Sequence, residues 1–285
     1  MNNDKKNRLK DKAFRVVGVT ATWAGIIVLA IFMGFILYTG LGRLSLDFLT
    51  SLPSRFPEQS GIYTAWIGSL WILILTTMIS FPVGVGAGIY LEEYAKNSRL
   101  NTLLEVNIAN LAGVPSVIYG LLGLGIFVRL AQFGNSILAG ALTLALLVLP
   151  IIIVSTREAI RAVPGSIREA SQGLGATKWQ TIWYQILPAS FGGILTGVIL
   201  AISRAVGETA PLIVIGALAY VPFAPRGPLD EFTVLPIQIF NWVSRPQQEF
   251  VINAAAAIIV LLGVTLVMNG IAVYLRHKWQ EKMKW

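Results

Sequence analysis

Residues 137–156 read ILAGALTLALLVLPIIIVST, twenty consecutive residues without a charged side chain. A hydrocarbon core about 30 Å thick is crossed by about 20 apolar helical residues, so this stretch by itself predicts a transmembrane helix. Its apolar residues are continuous and do not alternate with polar ones, which favours a helix over a strand of a membrane barrel. Five further stretches have the same character: roughly 16–40, 66–91, 107–131, 191–219 and 250–275. The sequence therefore predicts an all-α integral membrane protein with six transmembrane helices.

The composition of the whole chain supports this class and excludes several functions. Hydrophobic residues make up 55% and charged residues 13% of the 285 positions, against about 45–50% and about 25% in soluble domains. A soluble enzyme, a disordered chain and a nucleic-acid binder with a basic face are therefore excluded. The chain has no cysteine and one histidine, His277. We accordingly expect no disulfide, no metal site and no catalytic residue.

Basic residues set the predicted orientation, because the cytoplasmic loops of membrane proteins carry an excess of Lys and Arg. Sixteen of the 22 basic residues fall on one side of the six spans. They are Lys5, Lys6, Arg8, Lys10, Lys12, Arg15, Lys96, Arg99, Arg157, Arg161, Arg168, Lys178, Arg276, Lys278, Lys282 and Lys284. Both termini are therefore predicted to be cytoplasmic, and we expect no nucleic acid as a partner. The first span is too long for a removable signal peptide.

The predicted spans and loops form one membrane domain with three parts. Residues 1–65 hold a basic tail, the first helix and an external loop, which we interpret as an appendage. Residues 66–275 form a five-helix core that includes the longest cytoplasmic connection, 157–190, and residues 276–285 form a second basic tail. In the last external loop, the apolar segment 234–243 is predicted to lie on the membrane surface or on a partner.

Glycine and proline punctuate the second and third spans. The glycines are Gly84, Gly86, Gly88, Gly113, Gly120, Gly123 and Gly125. Small residues let transmembrane helices approach closely, whereas Pro82 and Pro115 each remove a backbone hydrogen bond and predict a helix kink. Tight helix packing and a pathway lined by kinked helices both account for this pattern. The chain has no phosphate-binding loop of the G-x-x-x-x-G-K-[ST] type, so we expect no ATP hydrolysis by this chain.

The fifth span holds two charged residues, Arg204 and Glu208, predicted near the middle of the membrane. A charge there costs roughly 2.5–3.5 kcal/mol on insertion scales, so both side chains are expected to face protein or water. Their i, i+4 spacing places them on one helical face, where they can pair. Pro211 removes the usual donor to the Gly207 carbonyl and predicts a third kink. The pair either neutralises itself and ties the span to a neighbour, or lines an anion pathway in which the planar guanidinium suits phosphate.

The cytoplasmic loop after the fourth span predicts a short amphipathic helix that begins near Pro164. We expect this helix to end at Gly173 or Gly175, with a glycine in the left-handed conformation, and a second helix to lead into the fifth span. An ordinary linker and a rigid helix–turn–helix that a soluble partner pushes both fit this pattern.

The same loop resembles a motif of the integral-membrane subunits of bacterial ABC importers. That motif reads E-A-A-x-x-x-G, then nine residues, then I-x-L-P, and its matches are Glu169, Ala170, Gly175, Leu187 and Pro188. Ser171 replaces the third alanine, and Gln185 stands at the isoleucine position with Ile186 one place later. Further segments resemble the A-type permease of the phosphate importers in this family. They are 89–94 (IYLEEY), 113–121 (GVPSVIYGL), 203–212 (SRAVGETAPL) and 232–242 (FTVLPIQIFNW).

The resemblance implies the fold of a type I, binding-protein-dependent importer permease in a bacterial inner membrane. It implies a second permease subunit of the C type, two ATPase subunits that bind ATP and Mg, and an external phosphate-binding protein. The alternatives are a permease for another oxyanion (sulfate, molybdate or phosphonate), an ion-coupled secondary transporter and a membrane-bound enzyme. By position, the coupling helix for the ATPase holds Glu169, Ala170, Ser171 and Gly175, and the translocation path is lined by Arg204 and Glu208.

Overall fold

The computed structural model describes residues 2–95, 98–217 and 220–282, and within these ranges the fold is built from helices. The helices are α1 (Asn2–Gly40), α2 (Leu46–Thr50), α3 (Tyr63–Ile89), α4 (Arg99–Leu111), α5 (Ser116–Gly123), α6 (Ile137–Arg161), α7 (Gly165–Gly173), α8 (Lys178–Thr181), α9 (Leu187–Val206), α10 (Ala210–Ile215), α11 (Leu235–Val243) and α12 (Glu249–Lys282). The predicted all-α class is confirmed. Lys96 and Lys284, which contributed to the predicted orientation, lie outside the described residues.

Within the described ranges, five helical stretches are long and apolar enough to cross a membrane. They are Lys10–Arg43, Tyr63–Tyr94, Ile137–Arg161, Lys178–Val206 and Glu249–Lys278. Turns of π-helix contribute to two of them, because Tyr90–Tyr94 extends α3 and Ile182–Ile186 joins α8 to α9. A sixth crossing is obtained when α4 and α5 are counted together as one bent span.

The predicted continuous third span over 107–131 is wrong, because the chain turns sharply between α4 and α5. The two helical segments meet at 105°, and α5 begins directly after Pro115. Proline has no N–H to continue the ladder of α4 and holds the preceding residue out of the helical region. Pro115 therefore marks a break in the span, not a kink within it. Pro82, by contrast, lies inside α3, which continues through it to Ile89.

The predicted fifth span over 191–219 is broken as well. Its helix is continuous from Lys178 to Val206 and then stops at Gly207, which closes the end of α9. The chain resumes as α10, whose first turn contains Pro211 and whose end is set by Gly216 at φ 98°. The expected kink at Pro211 is therefore a three-residue interruption, 207–209, followed by a new short helix.

The core is centred on α6, which packs against both α3 and α9. Leu144, Val148 and Ile152 of α6 are completely buried. The interpretation of the span glycines as close-packing positions is confirmed where a neighbouring helix leaves no space for a methyl group, at Gly84, Gly88, Gly120 and Gly123. It fails at Gly86 and Gly125, which face open space, so this second pair does not serve close packing within the chain.

The first helix and the segment 234–243 pack in different ways. The described side chains of α1 are mostly exposed, and α1 crosses α12 where Gly40 lies against the backbone of Ala255. The prediction that 234–243 lies on the membrane surface or on a partner is wrong for its buried face. Trp242 of α11 is completely buried, with its ring centroid 6.1 Å from that of Phe48 and 6.2 Å from that of Phe250. The α11 helix therefore closes one end of the fold over the chain's own core.

Candidate functional site

Arg204 and Glu208 form the predicted ion pair. Arg204 Nε lies 3.3 Å from Glu208 Oε1, and the two side chains are 40% and 16% exposed. The expected position in the middle of a continuous helix is wrong, because α9 ends two residues after Arg204, at Val206. The pair therefore bridges the end of one helix and the interruption that follows it.

The geometry of this pair is that of a weak contact. Strong charge-assisted hydrogen bonds are about 2.7–2.9 Å long and often bidentate, whereas this contact runs through Nε at 3.3 Å. The order Arg before Glu is the less favourable one at i, i+4 spacing. The C-terminal end of α9 is nevertheless a favourable place for a cation, since the helix dipole is negative there. The guanidinium is thus stabilised by its position and remains partly exposed.

The backbone around the pair makes hydrogen bonds to residues nearby in the chain. The N–H of Glu208 donates to the Ala205 carbonyl at 3.2 Å, which ends α9 in a tight turn. The Gly207 carbonyl, for which Pro211 removes the usual donor, accepts from the Thr209 hydroxyl at 3.4 Å. The Gly207 carbonyl thus has a local donor in place of the one that Pro211 removes.

The two broken spans meet beside this turn. A Cβ on Gly120 of α5 would lie 2.7 Å from the Cα of Pro211, so the two short helices α5 and α10 are in direct backbone contact. Tyr119 ties this contact to α4, because its hydroxyl donates to the Leu111 carbonyl at 2.8 Å. Glu208 also faces α3, where Ser69, Ile72 and Leu73 line a small cavity with it. The sequence contained the signals for these breaks, Pro115 and Pro211, but not their pairing.

Two side-chain hydrogen bonds between α9 and α12 were not predicted from the sequence. The Ser203 hydroxyl bonds the Asn269 Oδ1 at 2.5 Å, and Arg276 Nη1 donates to the Thr196 hydroxyl at 3.0 Å. Each helix contributes residues seven positions apart, which places them on one face. Arg276, assigned from sequence to the C-terminal tail, therefore belongs to the packed part of α12.

The second predicted site, the loop after α6, has the expected helix–turn–helix form. The α7 helix follows Pro164 and ends in a Schellman motif: Ala176 N–H donates to Ser171 O at 3.2 Å and Gly175 N–H to Gln172 O at 2.9 Å. Gly175 has φ 90°, so it is the left-handed glycine that this motif requires. The sequence had left Gly173 and Gly175 open, and the structure selects Gly175.

This loop presents one open face. Glu169 and Ala170 are exposed, and Leu174 is 90% exposed. Ser171 is half-buried, and its hydroxyl lies 2.9 Å from that of Thr181 in α8. A groove beside this contact is lined by Ile167, Ala170, Ser171, Leu174, Ala176, Gln185 and Ala189. The exposed apolar Leu174 thus lies at the edge of an open groove.

The two sites lie far apart on the same helical rod. From Thr181 to Arg204 the chain is continuously helical, a rise of about 35 Å at 1.5 Å per residue. Of the predicted site residues, Arg204, Glu208 and Pro211 meet at the break. Pro82 lies elsewhere and lines an apolar groove with Trp183 and Phe191.

Comparisons with known proteins agree with this architecture. The model of the family described as the inner membrane component of binding-protein-dependent transport systems matches residues 84–281. The probable ABC transporter permease protein YqgI of Bacillus subtilis is 32% identical over 269 residues, which cover 89% of this chain and 91% of that protein. The phosphate transport system permease protein PstA of Pasteurella multocida is 31% identical, with 97% of each chain covered. PstA of Haemophilus influenzae is 34% identical, with 86% and 88% covered.

Solved structures show the same fold. The permease chain of a bacterial alginate ABC transporter, solved with a pentasaccharide-bound periplasmic protein, superposes with a TM-score of 0.70 at 14% identity and covers 96% of each chain. A chain of the MetNI methionine ABC transporter in an inward-facing conformation gives a TM-score of 0.61 at 17% identity, over 74% of this chain and 94% of that one. The family match contains both candidate sites and covers most of the chain. This protein belongs to the family of inner-membrane components of binding-protein-dependent transport systems, and it is a membrane permease of an ABC importer with the type I fold.

Proposed function

We propose that this chain is one permease subunit of an ATP-driven phosphate importer and forms half of its translocation pathway. The observation that carries the proposal is the weak Arg204–Glu208 pair at the end of α9, with a guanidinium that is 40% exposed. Its relatives include permeases named for phosphate transport at 31–34% identity, which supports phosphate as the substrate.

Arg204 is suited to a transient phosphate site. Its planar donors match two oxygens of an oxyanion at once, which a lysine ammonium does not do. A transit site must also release its substrate, as stated for channel pores. Glu208 meets that requirement, since it pairs with Arg204 when the site is empty and competes with the bound anion for the guanidinium. Its carboxylate also accepts a hydrogen bond from a protonated phosphate, HPO4, which sulfate cannot donate.

Coupling to ATP is assigned to the loop after α6. The exposed residues Glu169 and Ala170, the turn at Gly175 and the exposed Leu174 supply the surface on which an ATPase subunit docks. Ser171 supports this surface from within, through Thr181. ATP and Mg are bound by that partner, and this chain contributes no catalytic residue. With this loop in the cytoplasm, both termini are cytoplasmic as well, in agreement with the distribution of basic residues.

Two further partners belong to this proposal, one within the membrane and one on its external side. A second permease subunit of the C type supplies the other half of the pathway, and a phosphate-loaded binding protein docks on the external segments 42–65 and 220–249. ATP binding closes the ATPase pair, moves the coupling helices together and opens the cavity outward, and hydrolysis reverses the motion.

The test is uptake by the complete complex in proteoliposomes. With the binding protein and internal ATP supplied, we expect labelled phosphate to enter and labelled sulfate to stay outside. Arg204→Glu should assemble normally and lose uptake, because two carboxylates then face the anion. Arg129→Glu, at the end of the π-helical turn after α5, is the matched charge reversal and should retain uptake.

Glu208→Gln examines selectivity in the same assay. The change keeps the shape of the side chain and removes its charge, so we expect the ratio of phosphate to sulfate transport to fall several-fold, about 1 kcal/mol. Unaltered selectivity and rate would show that Glu208 takes no part in recognition. Sulfate uptake by the wild-type complex would assign the chain to another oxyanion, and uptake driven by an ion gradient without ATP would remove the proposal altogether.

A further inference from the structure

Side chains of the loop after α6 form hydrogen bonds with the C-terminal end of α3. Glu93, in the π-helical turn that extends α3, accepts from Arg168 Nε at 3.0 Å and from Arg168 Nη2 at 2.8 Å. Its side chain is only 8% exposed. Arg168 also donates to the carbonyls of Ile160 and Val163, at 2.9 and 2.8 Å, and so closes the end of α6. One guanidinium therefore joins α7 to the ends of both α3 and α6.

The helix on the other side of the Gly175 turn reaches the same point. Lys178 Nζ of α8 donates to the carbonyl oxygen of Glu93 and lies 5.1 Å from the centroid of the Tyr94 ring. The Ser171–Thr181 contact closes α7 and α8 on each other. Two cations from the two arms of one helix–turn–helix thus hold a single turn of α3.

A neighbouring carboxylate has different partners. Glu92 accepts from Arg161 at 3.0 and 2.9 Å, and lies 3.4 Å from Arg157, both of α6. The side chains of Glu92 and Arg157 are 15% and 13% exposed, and that of Arg161 is 63% exposed. Glu92 is thus a carboxylate of similar burial that pairs α3 with α6, whereas Glu93 pairs α3 with the helix–turn–helix.

The N-terminal half of α3 lies beside Glu208. Ile72 and Leu73 line the small cavity that also contains Glu208 and Leu212. From Leu73 to Glu93 the chain is continuously helical, a rise of about 30 Å. Between these points, α3 lies against α6 through Gly84 and Gly88 without space for a methyl group. A displacement at Glu93 is therefore expected to be carried along a continuous helix, closely supported by α6, to the residues that line the small cavity with Glu208.

We propose that Glu93 is a positioning residue: the clamp formed on it by Arg168 and Lys178 transmits movement of the α7–α8 element through α3 to Glu208. This inference rests on the proposed function, because it takes α7 as the surface that the ATPase moves. Removing the Glu93 charge leaves Arg168 without its carboxylate in a partly buried place, the costly way to break such a pair. Lys178 keeps its contact with the main-chain carbonyl at 93, but without the Arg168–Glu93 pair the α7–α8 element carries α3 much less effectively.

The test measures how many ATP molecules the complete complex hydrolyses for each phosphate taken up in proteoliposomes. We expect Glu93→Gln to raise this ratio about tenfold or more, with ATP hydrolysis itself changed less than about twofold. Glu92→Gln is the matched control, because it neutralises a similarly buried carboxylate whose partners Arg157 and Arg161 belong to α6, and it should leave the ratio within about twofold of the wild type. A merely structural role of Glu93 would lower hydrolysis and uptake in proportion at constant ratio, and that outcome overturns the inference.

A chemical cross-link keeps the test decisive if Glu93→Gln assembles poorly. The chain has no native cysteine, so Glu93→Cys with Arg168→Cys introduces one addressable pair, with the partner subunits made free of cysteine. A reducible bis-thiosulfonate linker should restore the wild-type ratio, and reductant should abolish it again. A ratio that stays high with the linker in place overturns the inference. Failure of the proposed function shows separately, as a wild-type complex that takes up no phosphate.

Discussion

Arg168 and Arg204 lie in two regions of this chain, and they differ in how many of their hydrogen-bond donors are used within the fold. Arg168 makes four hydrogen bonds of 2.8–3.0 Å, to one carboxylate and two carbonyl oxygens, and is 24% exposed. Arg204 contacts Glu208 through Nε at 3.3 Å and is 40% exposed. A guanidinium whose donors are used within the fold holds elements together, whereas one with a weak partner can exchange it for a ligand.

The two regions also differ in how their backbone is fixed. The α7–α8 element is fixed by a Schellman motif, by a capping box at Thr177 and by the contacts of Arg168 and Lys178 with Glu93. The break between α9 and α10 depends on helix contact, with Gly120 against Pro211. We therefore expect the first region to fail when its turn or charges change, and the second to fail when its packing changes.

The largest effect is expected at the turn of the first region. Gly175→Val places a β-branched residue at φ 90°, where L-residues are disfavoured by about 1–2 kcal/mol and β-branched ones by more. The turn should distort and uncouple ATP hydrolysis from uptake about tenfold, measured as ATP consumed per phosphate transported.

Gly173→Val is the control for this change. Neither glycine has a neighbour within 4 Å of the added Cβ, so the two variants differ in backbone conformation and not in available space. Gly173 lies in the last turn of α7, and its variant should keep coupling close to the wild type. Retained coupling in Gly175→Val would remove the docking assignment.

A smaller effect is expected from packing in the second region. Gly120→Ala brings a Cβ to 2.7 Å from Pro211 Cα and 3.0 Å from its carbonyl oxygen. Backbone must move, and overpacking of this kind costs typically 1–3 kcal/mol. We expect a lower melting temperature of the detergent-solubilised complex and slower phosphate uptake, because α10 carries the far side of the Arg204–Glu208 turn.

Gly125→Ala separates packing from a general loss of glycine. Gly125 has nothing within 4 Å of the added Cβ, so its variant should melt and transport like the wild type. If Gly120→Ala behaved in the same way, the contact between α5 and α10 would have no part in forming the site.

The two regions were also unequally predictable from sequence. The α7 helix and the pairing of Arg204 with Glu208 depend on residues close together in the chain, and local spacing predicted them correctly, whereas it left the end of α7 open between Gly173 and Gly175. The breaks after Leu111 and Val206 were expected as kinks at Pro115 and Pro211. Both interruptions are only a few residues long, and a hydropathy pattern averaged over a longer window does not show where a helix stops.

Contacts between distant residues were beyond local reasoning. Glu93 and Arg168 are 75 positions apart, and in sequence one is a charge just after the second predicted span and the other a charge within the connection 157–190. Trp242 was expected on a membrane or partner surface because its segment is apolar, and only the positions of Phe48 and Phe250 show that the chain covers it itself. Charged residues make up only 13% of this sequence. Each of them is therefore a candidate for a structural or functional ion pair.

The smallest effect is expected where the chain departs from the importer motif. Ser171 stands at the third alanine position, and its hydroxyl bonds that of Thr181 at 2.9 Å. Ser171→Ala removes one neutral hydrogen bond at a half-buried place, worth about 0.5–1.5 kcal/mol, and leaves Glu93, Arg168 and the Gly175 turn untouched. We expect the melting temperature to fall slightly and the ATP consumed per phosphate to stay within about twofold, because the charges and not this hydroxyl join α7 to α3. Thr181→Val removes the same bond from its other side and should give the same result. A large loss of coupling in both variants would mean that closure of α7 on α8, and not the grip on Glu93, transmits the movement.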